Sequence, residues 1–162
     1  PGQPVIWRGS MLNSMLSHFF YDIKWHSDTE YVIIDFPPGT GDIVLDVKNI
    51  VPQTKMIIVT TPNVSASHVA VKAGFAVKTL GHDILGVIEN MSYYINPINK
   101  DKEYIFGQGG GDKVAKSLDT ELIAELPINR PKYHQDLYEI DEENGKIYDD
   151  IAEFIIFKSN EI

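Results

Sequence analysis

Short apolar runs alternate along this chain with stretches whose apolar positions recur every three to four residues. Residues 31–35, 55–60, 84–89 and 121–126 read as strands. The first two are nearly continuous apolar runs, the pattern of strands covered on both faces. Helices are predicted over 9–23, 43–51, 65–80, about 112–118, and 145–157. The helix over 65–80 has the fullest set of signals. Ser65 can cap it, Val69, Ala73, Ala76, Val77 and Leu80 form a stripe of helical period, and Gly81 stops it. Strand–helix alternation of this kind predicts an α/β fold, a three-layer, mainly parallel sheet flanked by helices. Residues 96–102 and 141–144 read as polar loops, and no repeat, low-complexity tract or linker interrupts the pattern. One domain over 1–162 is the expectation, since domains commonly run to about 100–200 residues.

Composition narrows the function classes. The 162 residues are 43% hydrophobic, which is a globular composition, and contain no cysteine. Disulfides, thiolate metal sites and cysteine nucleophiles are therefore excluded. Lys and Arg number 14 against 23 Asp and Glu, a net charge of −9. That surface repels phosphate backbones and anionic lipid, which argues against nucleic acid and membrane as partners. No apolar run reaches the roughly 18 residues of a membrane span, and no signal peptide is visible. A cytoplasmic address is the expectation. The chain opens on Pro1 and not on Met, from which we expect that something upstream has been removed.

The sharpest chemical feature is Asp35-Phe-Pro-Pro-Gly-Thr-Gly-Asp42, placed between a predicted strand and a predicted helix. An acid at the C-terminal tip of a parallel strand faces the crevice where α/β proteins bind ligands. Pro37 and Pro38 stiffen the exit, and Gly39 and Gly41 let the backbone approach a ligand. Backbone N–H groups there can meet a phosphate while the Asp35 carboxylate holds a hydrated Mg²⁺. The same octapeptide reads equally as a capped turn in which Asp42 is the helix's N-terminal acid. Gly107-Gln-Gly-Gly-Gly-Asp-Lys113 has the look of a phosphate loop, but no strand leads into it, no Ser or Thr follows Lys113, and Asp112 occupies the place of the phosphate. We read it as a flexible helix entry. His18, His26, His68, His82 and His134 are scattered, with no ligand-like spacing, and read as surface or core histidines.

The octapeptide, taken with residues 6–11 (Ile-Trp-Arg-Gly-Ser-Met), 59–62 (Val-Thr-Thr-Pro), 85–92 (Leu-Gly-Val-Ile-Glu-Asn-Met-Ser), 105–107 (Ile-Phe-Gly) and 126–128 (Leu-Pro-Ile), closely resembles the Mrp/ApbC family. These are cytosolic ATP-binding iron–sulfur cluster carriers, related to MinD and ParA within the deviant-Walker P-loop NTPases. The resemblance implies a P-loop NTPase-like fold, ATP and Mg²⁺ as cofactors of the intact protein, and iron–sulfur client proteins as partners. It assigns Asp35 to the Mg²⁺-supporting acid. Pro37, Pro38, Gly39, Thr40 and Gly41 become the switch that senses the γ-phosphate. Asn90 is assigned to the amide that reads the adenine edge, and Pro127 and Ile128 to the loop flanking the base. An Asn amide offers both a donor and an acceptor to a purine; Asn90 taken alone reads as a loop-capping residue.

Two departures accompany the match. The family's glycine- and lysine-rich phosphate loop lies upstream of the Trp7-Arg8-Gly9 motif, and no G-x-x-x-x-G-K-[ST] or deviant equivalent occurs here. The resemblance therefore makes this chain the C-terminal portion of a P-loop NTPase-like domain, with half a nucleotide site and no ATP turnover by itself. The family also carries Cys-Pro-x-Cys, whose thiolates bridge a cluster between subunits, where this sequence has Asn96-Pro97-Ile98-Asn99. Carboxamides are not soft anionic ligands for iron, so no cluster is expected at Asn96 and Asn99. A cysteine-free regulatory protein whose nucleotide switch controls a partner is the alternative. A MinD/ParA-type positioning ATPase fits less well, because the last helix shows Asp149, Asp150 and Glu153 outward. Finally, the family fold places the phosphate-loop strand beside 31–34. The bare edge of that strand predicts self-association, with a fold-back of residues 1–7 across it or aggregation of the isolated fragment as the other outcomes.

Overall fold

The structure is a computed structural model that describes residues 9–36, 42–133 and 137–160. Helices α1 (Gly9–Tyr21) and α2 (Asp42–Ile50) precede strand β1 (Lys55–Thr60). Helix α3 (Val64–Thr79) leads to β2 (Asp83–Glu89), and a short hairpin of β3 (Tyr94–Ile95) and β4 (Lys102–Glu103) follows. Then come α4 (Gly110–Ser117), β5 (Leu122–Glu125) and α5 (Glu143–Asn160). The main sheet has the order β1-β2-β5 with both pairs parallel. Two parallel pairs need two crossovers, and α3 and α4 supply them. They cover one face, where Ala70, Val114, Ala115 and Leu118 pack on Ile58 and Val87. On the other face Ile151, Ile147 and Ile155 of α5 meet Ile88 and Ile123. The three-layer α/β expectation is met.

A third cluster joins Leu16 of α1 and Ile43, Val44 and Val47 of α2 to Met56 and Val77. Buried His82 braces it, its two ring nitrogens facing the backbone carbonyls of Thr54 and Val44 at 3.2 and 3.0 Å. Lys48 spans the same corner, donating to the carbonyls of Pro52 and Gly81.

Three local readings are corrected. Residues 31–36 form no strand. Ile34 and Phe36 pack on the α1–α2 cluster, while Ile33 is 92% exposed. An apolar run becomes a strand only beside another strand that can take its N–H and C=O groups. Among the described residues the sheet ends at β1 and β5, so the edge argued for self-association at 31–34 is absent. In α3 the cap is Asn63, whose side chain accepts from the Ser65 N–H at 2.9 Å. The helix buries Ser67, Ala70, Gly74 and Val77, and Val69 is exposed. Small residues line the contact because α4 approaches closely: a Cβ on Gly74 would collide with a methyl of Leu118. Third, the glycine run before α4 is close packing and not slack. Gly109 caps α4 at φ +72°. A Cβ on Gly110 would lie 2.5 Å from the Ser67 hydroxyl, and one on Gly111 2.8 Å from Cβ of Glu89.

Glu89 explains that packing. It ends β2 only 1% exposed. One carboxylate oxygen accepts from the Ser92 hydroxyl at 2.5 Å and the other from the Gly111 N–H at the start of α4. A buried charge is tolerated only with such donors.

Two outcomes follow for stability. Leu118→Ala should lower the unfolding free energy by about 3 kcal/mol. Gly74→Ala should destabilise by itself yet recover part of the loss when added to Leu118→Ala, because the new methyl enters the vacated space; urea denaturation of the four proteins reads this non-additivity. At the second position, Glu89→Ala leaves two buried donors unmet and should cost about 2–4 kcal/mol. Glu89→Gln keeps an acceptor for one of them and can donate its amide N–H to the Ser92 oxygen, so it should cost less than Glu89→Ala, compared by thermal and urea melts of both variants.

Candidate nucleotide-binding site

β2 and β5 run parallel, so their C-terminal ends open onto one crest, and the chain leaving each end carries a predicted base-binding segment. The Asn90 N–H donates to the Thr60 carbonyl at the end of β1 at 2.8 Å. Beyond it Met91 takes φ +55° and turns the backbone. The Asn90 side-chain oxygen accepts from the Met91 N–H at 2.8 Å, which aims the amide nitrogen away from the turn.

The two segments are laced together. Leu126 N–H donates to the Glu89 carbonyl at 2.8 Å, Ser92 N–H to the Leu126 carbonyl at 2.9 Å, and Ile128 N–H to the Tyr93 carbonyl at 2.7 Å. The structure thus brings Asn90, Pro127 and Ile128 to one place. Pro127 is buried, and its carbonyl accepts from the Asn144 amide at 3.2 Å. Asn144 is 3% exposed, and its own oxygen has no hydrogen-bond partner among the described residues. Nearby, the carboxylate of buried Glu142 accepts from the N–H groups of Lys132 and Glu139 at 2.8 and 2.9 Å, tying two points of the loop that joins β5 to α5.

Asp35 is not tied to this crest by any hydrogen bond among the described residues. It is exposed and ends no strand. Pro37, Pro38, Gly39, Thr40 and Gly41 lie outside the described residues, as do residues 1–7 and His134. Sequence reasoning missed Glu89, Ser92, Glu142 and Asn144. Glu89 carried a signal: a charge that closes an apolar run on a strand flanked by helix layers must be paired.

Tyr93 packs between the crest and the β3–β4 hairpin. Lys102 lies 3.8 Å above its ring, and its hydroxyl donates to Glu143 at 3.4 Å. Burial, reinforced by Glu143 and opposed by Lys102, pushes the phenol above its usual 10. Burial and then Tyr148 and Glu142 do the same for Tyr138. Both phenols therefore stay protonated at neutral pH. A raised phenol contributes stability below its ordinary value and loses it as pH climbs past the folded-state value.

The hairpin places Asn96 and Asn99 at its tip and commits both side chains. Asn96 donates to Glu103 at 2.6 Å and accepts from the Ile98 N–H at 2.9 Å. Asn99 donates to Asp101 at 2.7 Å and accepts from the Asp101 N–H at 3.1 Å. These carboxamides do not fit an iron–sulfur cluster, whose irons take thiolates. Among the described residues no group of three His, Cys, Asp or Glu side chains is placed to hold a metal. His18 and His26 pair with Asp22 and Asp28 on the surface. No helix among them is long and apolar enough to cross a membrane.

Comparison with known proteins shows the family. The ParA family model, described as NUBPL iron-transfer P-loop NTPase, matches residues 1–155. The chain is similar to the iron–sulfur cluster carrier protein of Bacillus subtilis, with 44% identity over 158 residues that cover 94% of this chain and 44% of that protein. The carrier protein of Pyrococcus horikoshii is 38% identical over 167 residues, 99% of this chain and 56% of the relative. Among solved structures, a nucleotide-binding protein from Archaeoglobus fulgidus in complex with ADP superposes with a TM-score of 0.63 at 32% identity. It covers 74% of this chain and 49% of that one. The chain spans about half the length of the curated relatives it matches. With one family model running along nearly its whole length, this chain belongs to the ParA/NUBPL iron-transfer P-loop NTPases, the family that contains the Mrp/ApbC iron–sulfur cluster carriers.

Proposed function

We propose that this chain forms the base-reading and switch portion of an ATP-binding iron–sulfur carrier of this family. The observation that carries the reading is the lacing of the Asn90 turn to the Leu126–Ile128 segment at the crest of a parallel sheet, where α/β proteins collect ligands. The Asn90 amide nitrogen is left to donate to an acceptor on the purine edge, and half-buried Ile128, backed by buried Pro127, offers an apolar flank. Support also comes from the similarity to a protein bound to ADP. When bound, Mg²⁺ would neutralise phosphate charge, and exposed Asp35 is the residue of this chain that would hold it through its waters.

The chain's own residues supply neither lysines nor a glycine cradle for the phosphates. By itself it should bind Mg-ATP no more tightly than about 1 mM and should not hydrolyse it. Titration calorimetry checks this, and a micromolar constant would contradict it. A chimera that places the N-terminal half of the Bacillus subtilis relative ahead of this chain tests the site directly. It should bind Mg-ADP, and Asn90→Ala should weaken binding about tenfold and narrow the preference for ADP over GDP. Unchanged affinity and preference would remove Asn90 from the site.

Cluster cargo is a separate matter. Because Asn96 and Asn99 are committed within their own turn, we propose that this hairpin does not carry a cluster in the manner of the thiolate family members. This hairpin favours a second reading beside the carrier, a cysteine-free regulatory protein that acts on a partner through its nucleotide state. Anaerobic reconstitution with iron and sulfide should leave the chain without visible charge-transfer absorbance; a stable chromophore would restore the carrier reading at a different set of ligands.

A further inference from the structure

The far edge of the sheet carries a surface that the nucleotide reading does not use. β5 is the last strand of the order β1-β2-β5, so among the described residues no strand pairs with one side of Leu122–Glu125. An open groove of about 560 Å³ runs beside it, lined by β5 itself and by Tyr104, Gln108, Gly109 and Asp112 on the path from β4 into α4. That volume is in the range of ligand-binding clefts. Tyr104, Ile105 and Phe106 are successive and exposed, at 42, 59 and 45%. Gly107 at φ +98° and Gly109 at φ +72° then turn the chain into α4.

Edge strands are normally guarded by Lys, Pro, a bulge or a covering element, because a row of free N–H and C=O groups recruits another strand. The unpaired side of Leu122-Ile-Ala-Glu125 has no Lys or Pro to guard it, and its one irregularity is a register shift at Ile123, where β5 pairs Leu122 with Val87 and Ala124 with Ile88. The charges around it are acidic and differ in their commitments. Asp112 is paired with Lys116 at 2.6 Å, and Glu121, at the strand's start, with Lys158 at 3.5 Å. Glu125 is exposed and has no ion pair among the described residues.

We propose that the β5 edge is a docking site for an extended segment of a partner protein, added to the sheet as a further strand. The segment carries a Lys or Arg opposite Glu125 and an apolar side chain against Tyr104. The backbone row sets the extended form, since main-chain hydrogen bonds hold an added strand and side-chain pockets select it. Four residues of strand span about 13 Å, enough for a short segment. The unpaired carboxylate sets the sign of the charge. A second copy of this chain is disfavoured, because each copy carries a net charge of −9 and an exposed acid at this edge. The inference does not rest on nucleotide binding.

The test uses the full chain and two probes: acetyl-Lys-Val-Lys-Ile-Lys-Val-amide and its counterpart with Glu in place of Lys. Near saturation, the basic peptide should slow amide hydrogen exchange within residues 122–125 by about tenfold or more. At low salt it should bind at least about fivefold more tightly than the acidic peptide, a margin that shrinks at high salt as exposed charges are screened. Glu125→Lys, an exposed substitution, should reverse the order of the two peptides while leaving the thermal midpoint in place. The proposal is overturned by unchanged exchange at β5, by equal affinity for the two peptides, or by an unaltered order in Glu125→Lys. It is overturned as well if exchange at β5 slows with protein concentration alone, which would give the edge to a second copy.

Discussion

The carboxylate of Glu89 is the constraint around which this half of the sheet is arranged. A charge at the buried end of β2 needs donors within reach, and the chain supplies one from each direction: the Ser92 hydroxyl just downstream and the Gly111 N–H from the first turn of α4. Meeting it pulls the start of α4 against the sheet, so Gly110 and Gly111 have no room for a Cβ. The same residue's backbone carbonyl receives the Leu126 N–H. One residue thus ties the end of β2 to α4 through its side chain and to the segment after β5 through its backbone. Asn90 is its neighbour in the chain. The orientation of the base-reading candidate is therefore a consequence of how a buried charge is satisfied.

That constraint also accounts for which readings were available from the sequence. β1 and β2 were legible because each is an apolar run long enough to be buried by the helices that flank it. The helix entry at Gly107–Lys113 was legible as an entry, since Asp112 excludes a phosphate there. Its tightness was not: close approach to Glu89, Ser67 and Pro62 is a property of distant residues, and glycine has the same letter whether it confers slack or permits contact. The buried face of α3 was misread for a related reason. Hydrophobicity weights Val69 above Ser67 and Gly74, yet the close approach of α4 selects for small side chains.

Residues 31–36 show the opposite limit. Their composition is that of a strand, but strand formation is a pairwise property, and among the described residues no neighbour offers a ladder. Their apolar side chains divide instead: Ile34 and Phe36 join the α1–α2 cluster and Ile33 faces out. For the candidate site the division is similar. Asn90, Pro127 and Ile128 were found through motif resemblance. Glu142 and Asn144, which hold the loop behind Pro127, belong to a stretch that reads only as a polar loop, and their roles arise from burial.

The hairpin tip separates scaffold from cargo. A metal-bridged loop takes its shape partly from its ligands, so exchanging thiolates for other groups ordinarily leaves such a loop without an organiser. Here the two asparagines close the loop themselves, since each side-chain oxygen accepts a backbone N–H two residues on, as short Asx turns do. Each side-chain nitrogen then finds a carboxylate, Glu103 for Asn96 and Asp101 for Asn99. The backbone adds the Asn96 N–H to the Asp101 carbonyl and the Lys100 N–H to the Asn96 carbonyl at 3.0 and 2.9 Å. Six hydrogen bonds within eight residues organise the loop using groups no thiolate could replace one for one, since sulfur accepts only weakly and a thiolate donates nothing. The turn therefore takes a defined form from its own side chains and backbone, and the chain runs on from it through Tyr104 to α4.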